Sequence, residues 1–319
     1  MRGRPQAISV TVLFAVISLL ALPLASLAAP LAPLAFPLAL FAFLSGAVVG
    51  LSTLRYGEMQ GVVVGAGASA LYALLCVVLF RDITIAAGVI LVIWAPTLVL
   101  CIGLRATSST AVALTLGAFL AIAGLLVFHL AVGDATQWWR DIFDEFIARL
   151  LGGLAEKPER NIVLASMQRL DQLAPKMTSW LAASILYSTY ITTLLARWFH
   201  SILDNPGGFG MEFRSLRLDP RVAIILAVVA CGLGLLTGDF SGGPGGDVLH
   251  VAVVLYSFQG IAIAHSAVAQ LGASVGWLIL LYILLIIAVE YVSVFLAITG
   301  FLDSWLKVRT RLGKKSANS

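Results

Sequence analysis

The chain has 319 residues, of which 60% are hydrophobic and 11% are charged, with a formal net charge of +4 and a mean hydropathy of +1.01. A soluble domain carries about 25% charged residues, and a globule must cover its surface with polar groups. The composition therefore excludes a soluble enzyme, a nucleic-acid-binding protein, a disordered chain and a secreted disulfide scaffold. It indicates an all-α polytopic membrane protein whose first partner is the lipid bilayer.

Apolar runs along the chain have the length of membrane-spanning helices. A helix needs about 20 apolar residues to cross the bilayer core, and barrel strands would be shorter and alternating. Because the run at 221–237 is short and the run at 276–302 is long, the sequence predicts a bundle of eight or nine transmembrane helices. The runs cover residues 8–28, 33–54, 60–80, 83–104, 108–131, 178–198, 221–237, 248–270 and 276–302.

The first run resembles a cleavable signal peptide. Arg2 and Arg4 precede it, and near its end Ser26-Leu27-Ala28 is followed by Ala29-Pro30. However, a second apolar run follows within a few residues, as in polytopic proteins that keep the first helix as an anchor. We therefore expect an uncleaved first helix.

The segment 132–176 is more polar than its neighbours and predicts one interfacial amphipathic helix. Apolar residues recur at helical spacing, and charged residues fill the opposite face. Trp138 and Trp139 open the apolar stripe, and tryptophan favours the membrane interface. Packing of the stripe against neighbouring spans is the alternative. The stripe consists of Trp139, Ile142, Phe143, Phe146, Ile147, Leu150, Leu151 and Leu154.

Arginines in the short loops predict a cytoplasmic N-terminus, because positive residues favour that side of the membrane. The 132–176 segment then lies outside. Nine spans leave the basic tail outside as well, against the rule, whereas two spans and a re-entrant piece within 221–303 would bring it inside. The side of the C-terminus stays open. The loop residues are Arg2, Arg4, Arg55, Arg105, Arg197, Arg214, Arg217 and Arg221, and the tail residues are Lys307, Arg309, Arg311, Lys314 and Lys315.

The same features divide the chain into regions. Residues 1–131 form an N-terminal membrane region of five helices, and 132–176 form the extramembrane amphipathic segment. Residues 177–303 form a C-terminal membrane region of three to four helices, and 304–319 form a basic tail.

Two polar residues in the last apolar runs are candidate ligand-binding residues. Glu290 lies near the middle of the run 276–302, where a carboxylate is costly unless it is protonated or faces a polar cavity. A proton, cation or ligand site and a merely structural hydrogen bond are both consistent with it. Gln259 lies near the middle of the preceding run, and the two side chains would meet if these helices are adjacent.

Two further residues join this ligand-binding hypothesis. His265 shares one helical face with His250 and Ser257. The two histidines are too far apart along a helix to chelate one metal, so no metal is expected. Trp94 lies mid-span beside Pro96, which should kink its helix. It would wall a pocket or fill the core.

Other motifs indicate packing rather than chemistry. Gly46-x3-Gly50 and Gly61-x3-Gly65 are small-residue pairs that allow helices to approach closely. The glycine-rich stretch Gly242–Asp247 lacks the Lys-Ser/Thr of a phosphate loop and is interpreted as a flexible extramembrane turn. The three cysteines form no CxxC pair. No hydrolase or metalloprotease motif occurs in the sequence, so neither an enzyme nor a cofactor is expected.

Several stretches together resemble the YybS-like membrane proteins, the domain-of-unknown-function 2232 family, in its proteobacterial form. They are Ala196–Trp198, Asn205–Phe209, Glu212–Leu218, Phe258–His265 and Gly300–Arg309. The likeness extends over nearly the whole chain and is strongest in its last part. It implies a bacterial inner-membrane protein of a family without an established activity.

The N-terminal half is distantly similar to the S components of energy-coupling-factor vitamin transporters. The likeness rests on Pro37-Leu38, on Arg55–Gly57 and on the spacing of Ala21, Ala25 and Ala29. It implies a helical core that binds a small molecule at mid-membrane, as a transporter or as a subunit beside other membrane proteins. A non-transporting scaffold, assembly or regulatory factor is the alternative. A binder requires a cavity lined by Glu290, Gln259 or Trp94, whereas a scaffold can have that volume filled.

Overall fold

The protein is built from helices. The computed structural model describes residues 3–21, 32–152, 160–239 and 243–306, and within these ranges the chain contains no β-strand. Eight of the described helices are long and apolar enough to cross a membrane. The prediction of an all-α polytopic membrane protein is therefore confirmed.

Short connections join the helices. In chain order they are α1 (Arg4–Leu19), α2 (Ala32–Tyr56), α3 (Glu58–Phe80), α4 (Thr84–Val89) continued by a π-helical segment (Ile90–Trp94) into α5 (Ala95–Thr107), α6 (Thr110–Val132), α7 (Ala135–Gly152), α8 (Arg160–Asp204), α9 (Gly208–Arg214), α10 (Pro220–Thr237), α11 (Pro244–Gln270), α12 (Gly276–Ile287) and α13 (Val289–Leu306).

The apolar run 276–302 is not one helix. α12 ends at Ile287, and Ala288 then leaves the helical region with φ −136° and ψ 49° before α13 begins. α12 has 12 residues and buries none of them. Its length of about 18 Å is well short of a bilayer core of about 30 Å. The expectation of a single span over 276–302 is therefore wrong, and the spanning part is Val289–Leu306.

Two other runs have different bounds from those expected. α1 ends at Leu19, and the remainder of the first run, with its cleavage-like site at 26–30, lies outside the described residues. α8 is 45 residues long and contains Pro175, so the span expected over 178–198 is extended to Leu170–Asp204. The basic tail beyond residue 306 also lies outside the described residues.

Local sequence explains where several helices start. Asp219 precedes Pro220 at the start of α10 and accepts a hydrogen bond of 2.8 Å from the Arg221 backbone N–H. Such a cap satisfies a donor that the first turn leaves unpaired. Asp82 accepts bonds from the hydroxyl and backbone N–H of Thr84, and these bonds lower the pKa of the Asp82 carboxyl below its usual range.

The chain folds into two compact units. Unit 1 comprises Met1–Gly117, Ile185–Leu218 and Ala262–Ala269. Unit 2 comprises Ala118–Ser184, Asp219–Ile261 and Gln270–Ser319. Several long helices therefore contribute one end to each unit.

Glycines bring the helices of unit 1 together. A Cβ added to Gly46 would lie 2.7 Å from both Ile93 and Thr192, and one added to Gly50 would lie 2.7 Å from the Cβ of Ala196. These distances are shorter than real carbon contacts, so a larger residue would push the helices apart. The prediction that Gly46-x3-Gly50 is a close-packing motif is confirmed.

The ends of α8 and α9 in unit 1 are joined by charged groups. Arg197 on α8 and Glu212 on α9 form an ion pair with N···O of 2.6 Å. Thr110, at the start of α6, donates its hydroxyl to the same carboxylate. The pair tethers the short α9 to the bundle, and both of its residues belong to the stretches that carry the family resemblance.

Two helices of unit 2 cross at glycines. A Cβ on Gly260 of α11 would lie 2.2 Å from the Leu296 carbonyl oxygen, and one on Gly300 of α13 would lie 2.2 Å from that of Tyr256. Tyr256 therefore lies beside Gly300, and Gly260 lies beside Leu296. This order shows that the two helices run antiparallel.

α7 is the predicted amphipathic helix. Ile147 on its apolar stripe is 3% exposed, whereas Phe146 is 56% exposed. Trp139 donates its indole N–H to Thr178 of α8 at 2.9 Å, and Arg140 pairs with Asp171 at 3.2 Å. One edge of the apolar stripe thus packs against α8, in agreement with the alternative that the stripe packs on neighbouring spans. The other edge, with Phe146, is exposed.

Candidate functional site

A buried carboxylate lies near one end of unit 2. Asp247 is in the first turn of α11 and has 0% exposure. A carboxylate enclosed in a membrane protein is costly unless it is paired or hydrogen-bonded. The expectation that Gly242–Asp247 forms an extramembrane turn is wrong from Pro244 onward, because these residues begin the helix.

A close helix contact holds this first turn in place. A Cβ added to Gly245 would lie 2.7 Å from the carbonyl oxygen of Ala230 and 2.7 Å from the backbone nitrogen of Gly234. Only glycine permits α10 and α11 to approach so closely. The start of α11 is therefore fixed against α10, and Asp247 is held within unit 2.

Two side chains from other helices satisfy the Asp247 carboxylate. The Nε2–H of His129, in the last turn of α6, donates to Oδ2 across 2.6 Å. The hydroxyl of Ser179, on α8, donates to Oδ1. Both carboxylate oxygens are thus engaged, and the three residues form a site that we call the Asp247 cluster.

Within the Asp247 cluster, the partly exposed side chain is that of His129. The side chain of His129 is 12% exposed, while those of Asp247 and Ser179 are enclosed. Aromatic rings stand beside it, because Phe128 contacts the His129 ring at 5.9 Å and the Trp138 ring at 5.3 Å. Exchange of a proton with solvent would therefore pass through the imidazole.

The chemistry available to the Asp247 cluster is proton binding. Histidine is the side chain whose charge normally changes near neutral pH, and it can pass a proton between its two ring nitrogens. With a neutral His129 the pair carries one negative charge, and with an imidazolium it carries none.

Gln259 is placed in the interior of unit 2, where it contacts α13. It has 0% exposure, and its amide donates to the Gly300 carbonyl at 2.9 Å and to Ser304 Oγ at 3.1 Å. Asp303 Oδ2 is 3.4 Å from the same nitrogen. The expected meeting of Gln259 with Glu290 is therefore wrong, because the carboxylate near Gln259 is that of Asp303.

Glu290 lies at the start of a helix and not in the middle of one. The break at Ala288 puts it in the first turn of α13, where its side chain is exposed. The expectation of a mid-span position is therefore wrong, because an unbroken apolar run conceals the break. Its role in ligand binding stays a prediction.

Trp94 and His265 belong to unit 1. Trp94 is 2% exposed, donates its indole N–H to Ser45 Oγ at 2.8 Å and packs against the Tyr72 ring at 5.5 Å. It fills the core, which is the second of its two expected roles. His265 meets the Phe213 ring edge-on at 5.6 Å. Ligand binding by either residue stays a prediction.

The segment around Trp94 also tests the predicted kink. The residues immediately before Pro96 form the π-helical segment Ile90–Trp94. A π turn accommodates the hydrogen bond that proline removes, and such turns occur at bends and functional positions. The irregularity predicted from Pro96 is present one turn earlier.

Among the residues that the structure describes, no group of three or more His, Cys, Asp or Glu side chains is placed to hold a metal ion. Comparison with protein-family models, with curated proteins and with solved structures finds no match for the chain.

Proposed function

We propose that this integral membrane protein is a bacterial inner-membrane transporter, or a transporter subunit, that moves a small molecule with proton binding at the Asp247 cluster. The single observation that carries the proposal is a fully buried carboxylate hydrogen-bonded to a histidine. Ionisable residues inside membrane proteins are commonly parts of proton or ion pathways. The membrane setting itself rests on the eight apolar helices.

Orientation bears on the side from which a proton would reach the Asp247 cluster. The proposed cytoplasmic side carries the loop arginines, so the Asp247 cluster at the opposite ends of α6 and α11 faces outside. A proton from outside would bind His129 and neutralise the pair with Asp247. Loss of this net charge lowers the cost of rearranging the cluster within the membrane, and proton release on the cytoplasmic side resets it.

The YybS-like family assignment is part of the same proposal. What supports it is that two of the stretches that carry the resemblance contact each other, since Gln259 of the first binds Gly300 and Ser304 of the second. A substitution at one residue of a buried contact leaves its partners unsatisfied. The residues that build such a contact would therefore recur together as a family signature.

Asp247→Asn tests the proposal. In membrane vesicles with an imposed pH gradient, a panel of vitamins, nucleosides, amino acids and sugars is added while a pH-sensitive dye reports the gradient. We expect at least one compound to discharge the gradient with the native protein but not with Asp247→Asn or His129→Gln, because neither variant retains the histidine–carboxylate pair. The matched control is Asp144→Asn, which changes an exposed carboxylate of α7. Unaltered discharge by Asp247→Asn at equal membrane levels would contradict the proposal.

A membrane scaffold is the second candidate function, because the mid-membrane volume around Gln259 is filled. Gly300, Asp303 and Ser304 occupy the space in which a ligand would contact that amide. If the protein is a scaffold, no compound should discharge the pH gradient in the vesicle experiment, either with the native protein or with its variants.

A further inference from the structure

A cavity at one end of unit 1 has a basic wall. It has a volume of about 660 Å³ and lies where α1 begins, α2 ends and α3 begins. Its polar lining consists of Arg4, Ser52, Arg55, Tyr56 and Gln60. Ligand sites in proteins have volumes of about 300–1,000 Å³, so the cavity is large enough for a small molecule or a lipid headgroup.

The charge of the cavity wall is one-sided. Arg4 and Arg55 are its charged residues, and no carboxylate is among the described residues that line it. Glu58 follows closely in the chain but does not line the cavity. A site walled by two guanidinium groups favours an anion, and guanidinium binds phosphate or carboxylate through paired hydrogen bonds.

Arg4 is held so that part of its guanidinium remains for a ligand. Its Nε donates to Gln60 Oε1 at 2.5 Å, which ties α1 to α3. Its terminal nitrogens have no hydrogen-bond partner among the residues that the structure describes. The bond to Gln60 fixes the plane of the group without neutralising its charge.

The ion pair that Arg55 forms within unit 1 is weak. Its nearest carboxylate, on Asp204, is 3.6 Å away, and the two side chains are 34% and 41% exposed. Exposed ion pairs of this length contribute little to stability. Asp204 is also 3.3 Å from His200, so it keeps a partner if Arg55 turns to a ligand.

The position of the cavity selects phosphate among the anions. It lies at the ends of three helices, and Arg4 and Arg55 stand in the terminal turns of α1 and α2. Helix ends with arginines meet the headgroup layer of a membrane. Basic pockets between membrane helices on the cytoplasmic side bind anionic headgroups. We propose that this cavity binds a phosphate-bearing ligand through Arg4 and Arg55, either the headgroup of an anionic lipid or a soluble phosphate ester. The site is independent of the proton chemistry of unit 2.

The test uses the full-length protein in phosphatidylcholine nanodiscs. In one arm phosphatidylglycerol is added to the bilayer, and the lipid retained on the extracted protein is counted by native mass spectrometry. In the other arm glycerol 3-phosphate is titrated by calorimetry. Retained phosphatidylglycerol identifies a lipid headgroup, and a glycerol 3-phosphate isotherm identifies a soluble phosphate ester.

We expect the double variant Arg4→Gln/Arg55→Gln to bind about tenfold or more weakly to whichever probe the native protein binds. The reason is that both guanidinium groups contact the phosphate. The matched control is Arg81→Gln, which alters an exposed arginine at the other end of α3 and should change binding less than about twofold. Binding that is unaffected in the double variant, equal loss in the control, or no binding of either probe to the native protein would overturn the proposal.

A second measurement needs no variant, in case the double substitution unfolds the protein. Phenylglyoxal modifies accessible guanidinium groups, and the modified positions are mapped by mass spectrometry. We expect the bound probe to protect Arg4 and Arg55 while Arg81 reacts at its original rate. Equal reaction of all three arginines with and without the probe would overturn the proposal.

Discussion

Buried polar side chains divide into those that can change charge and those that only complete a contact. Asp247 has a histidine partner that is slightly exposed, and we propose proton exchange at this site. Gln259 is enclosed, and its amide joins the backbone of one helix to side chains of another. An amide side chain carries no charge, so Gln259 completes a contact without a change of charge, and its role in ligand binding stays a prediction.

Replacement of Gln259 should destabilise unit 2. Gln259→Leu keeps the side-chain size but removes the donor to the Gly300 carbonyl and to Ser304. Each buried group left unsatisfied costs about 1–3 kcal/mol, which corresponds to a fall in melting temperature of roughly 2–10 °C. Tryptophan fluorescence of the detergent-solubilised protein measures this. Gln137→Leu on the exposed part of α7 is the control, and an equal change there would remove the special role of Gln259.

The Asp247 cluster could not be predicted from the sequence because its members are distant along the chain. His129 precedes Asp247 by 118 residues, and Ser179 precedes it by 68. Asp247 also follows a run of glycines and a proline, which is typical of a loop. The signal that would have found it is the helix start at Pro244, since an acidic residue in a first turn is favoured by the helix dipole.

At the scale of the helices, hydropathy predicted the spans well and their interruptions poorly. A run of apolar residues predicts a helix because the bilayer requires every backbone group to be paired internally. It does not reveal a break such as Ala288, because the apolar run continues beyond that residue. The misplacement of Glu290 follows from that single missed break.

The crossing of α11 and α13 should tolerate no side chain at Gly300. Gly300→Ala puts a methyl group 2.2 Å from the Tyr256 carbonyl oxygen, and the two helices must separate. Overpacking costs about 1–3 kcal/mol, so we expect a lower melting temperature and less folded protein in the membrane. Size-exclusion chromatography and thermal denaturation measure both effects.

A matched glycine separates packing from helix propensity. Gly232 in α10 has no atom within 4 Å of an added Cβ. Gly232→Ala should be neutral or stabilise by up to about 1 kcal/mol, because alanine favours the helix. Equal destabilisation by both substitutions would show that the close approach of α11 and α13 is not what Gly300 provides.

At the scale of the whole chain, the order of helices fixes on which side each loop lies. α1 runs antiparallel to α2, since Arg4 shares a cavity with Arg55 and Phe14 packs on Phe41 at 5.6 Å. α1 therefore crosses alongside α2 although it has only 16 residues. α12 is too short to cross, so α11 and α13 are consecutive crossings in opposite directions. Together with α1, the eight long helices make an odd number of crossings.

An odd number of crossings places the two ends of the chain on opposite sides of the membrane. We expect a reporter fused after Tyr56 and one fused after Leu306 to read opposite sides, with the first cytoplasmic because of the loop arginines. Leu306, the last residue of α13, then lies outside, because antiparallel packing of α13 on α11, through Gly260 and Gly300, sets the direction of α13. Alkaline phosphatase and fluorescent-protein fusions at both positions measure this. The same side at both positions would mean that α12 crosses after all.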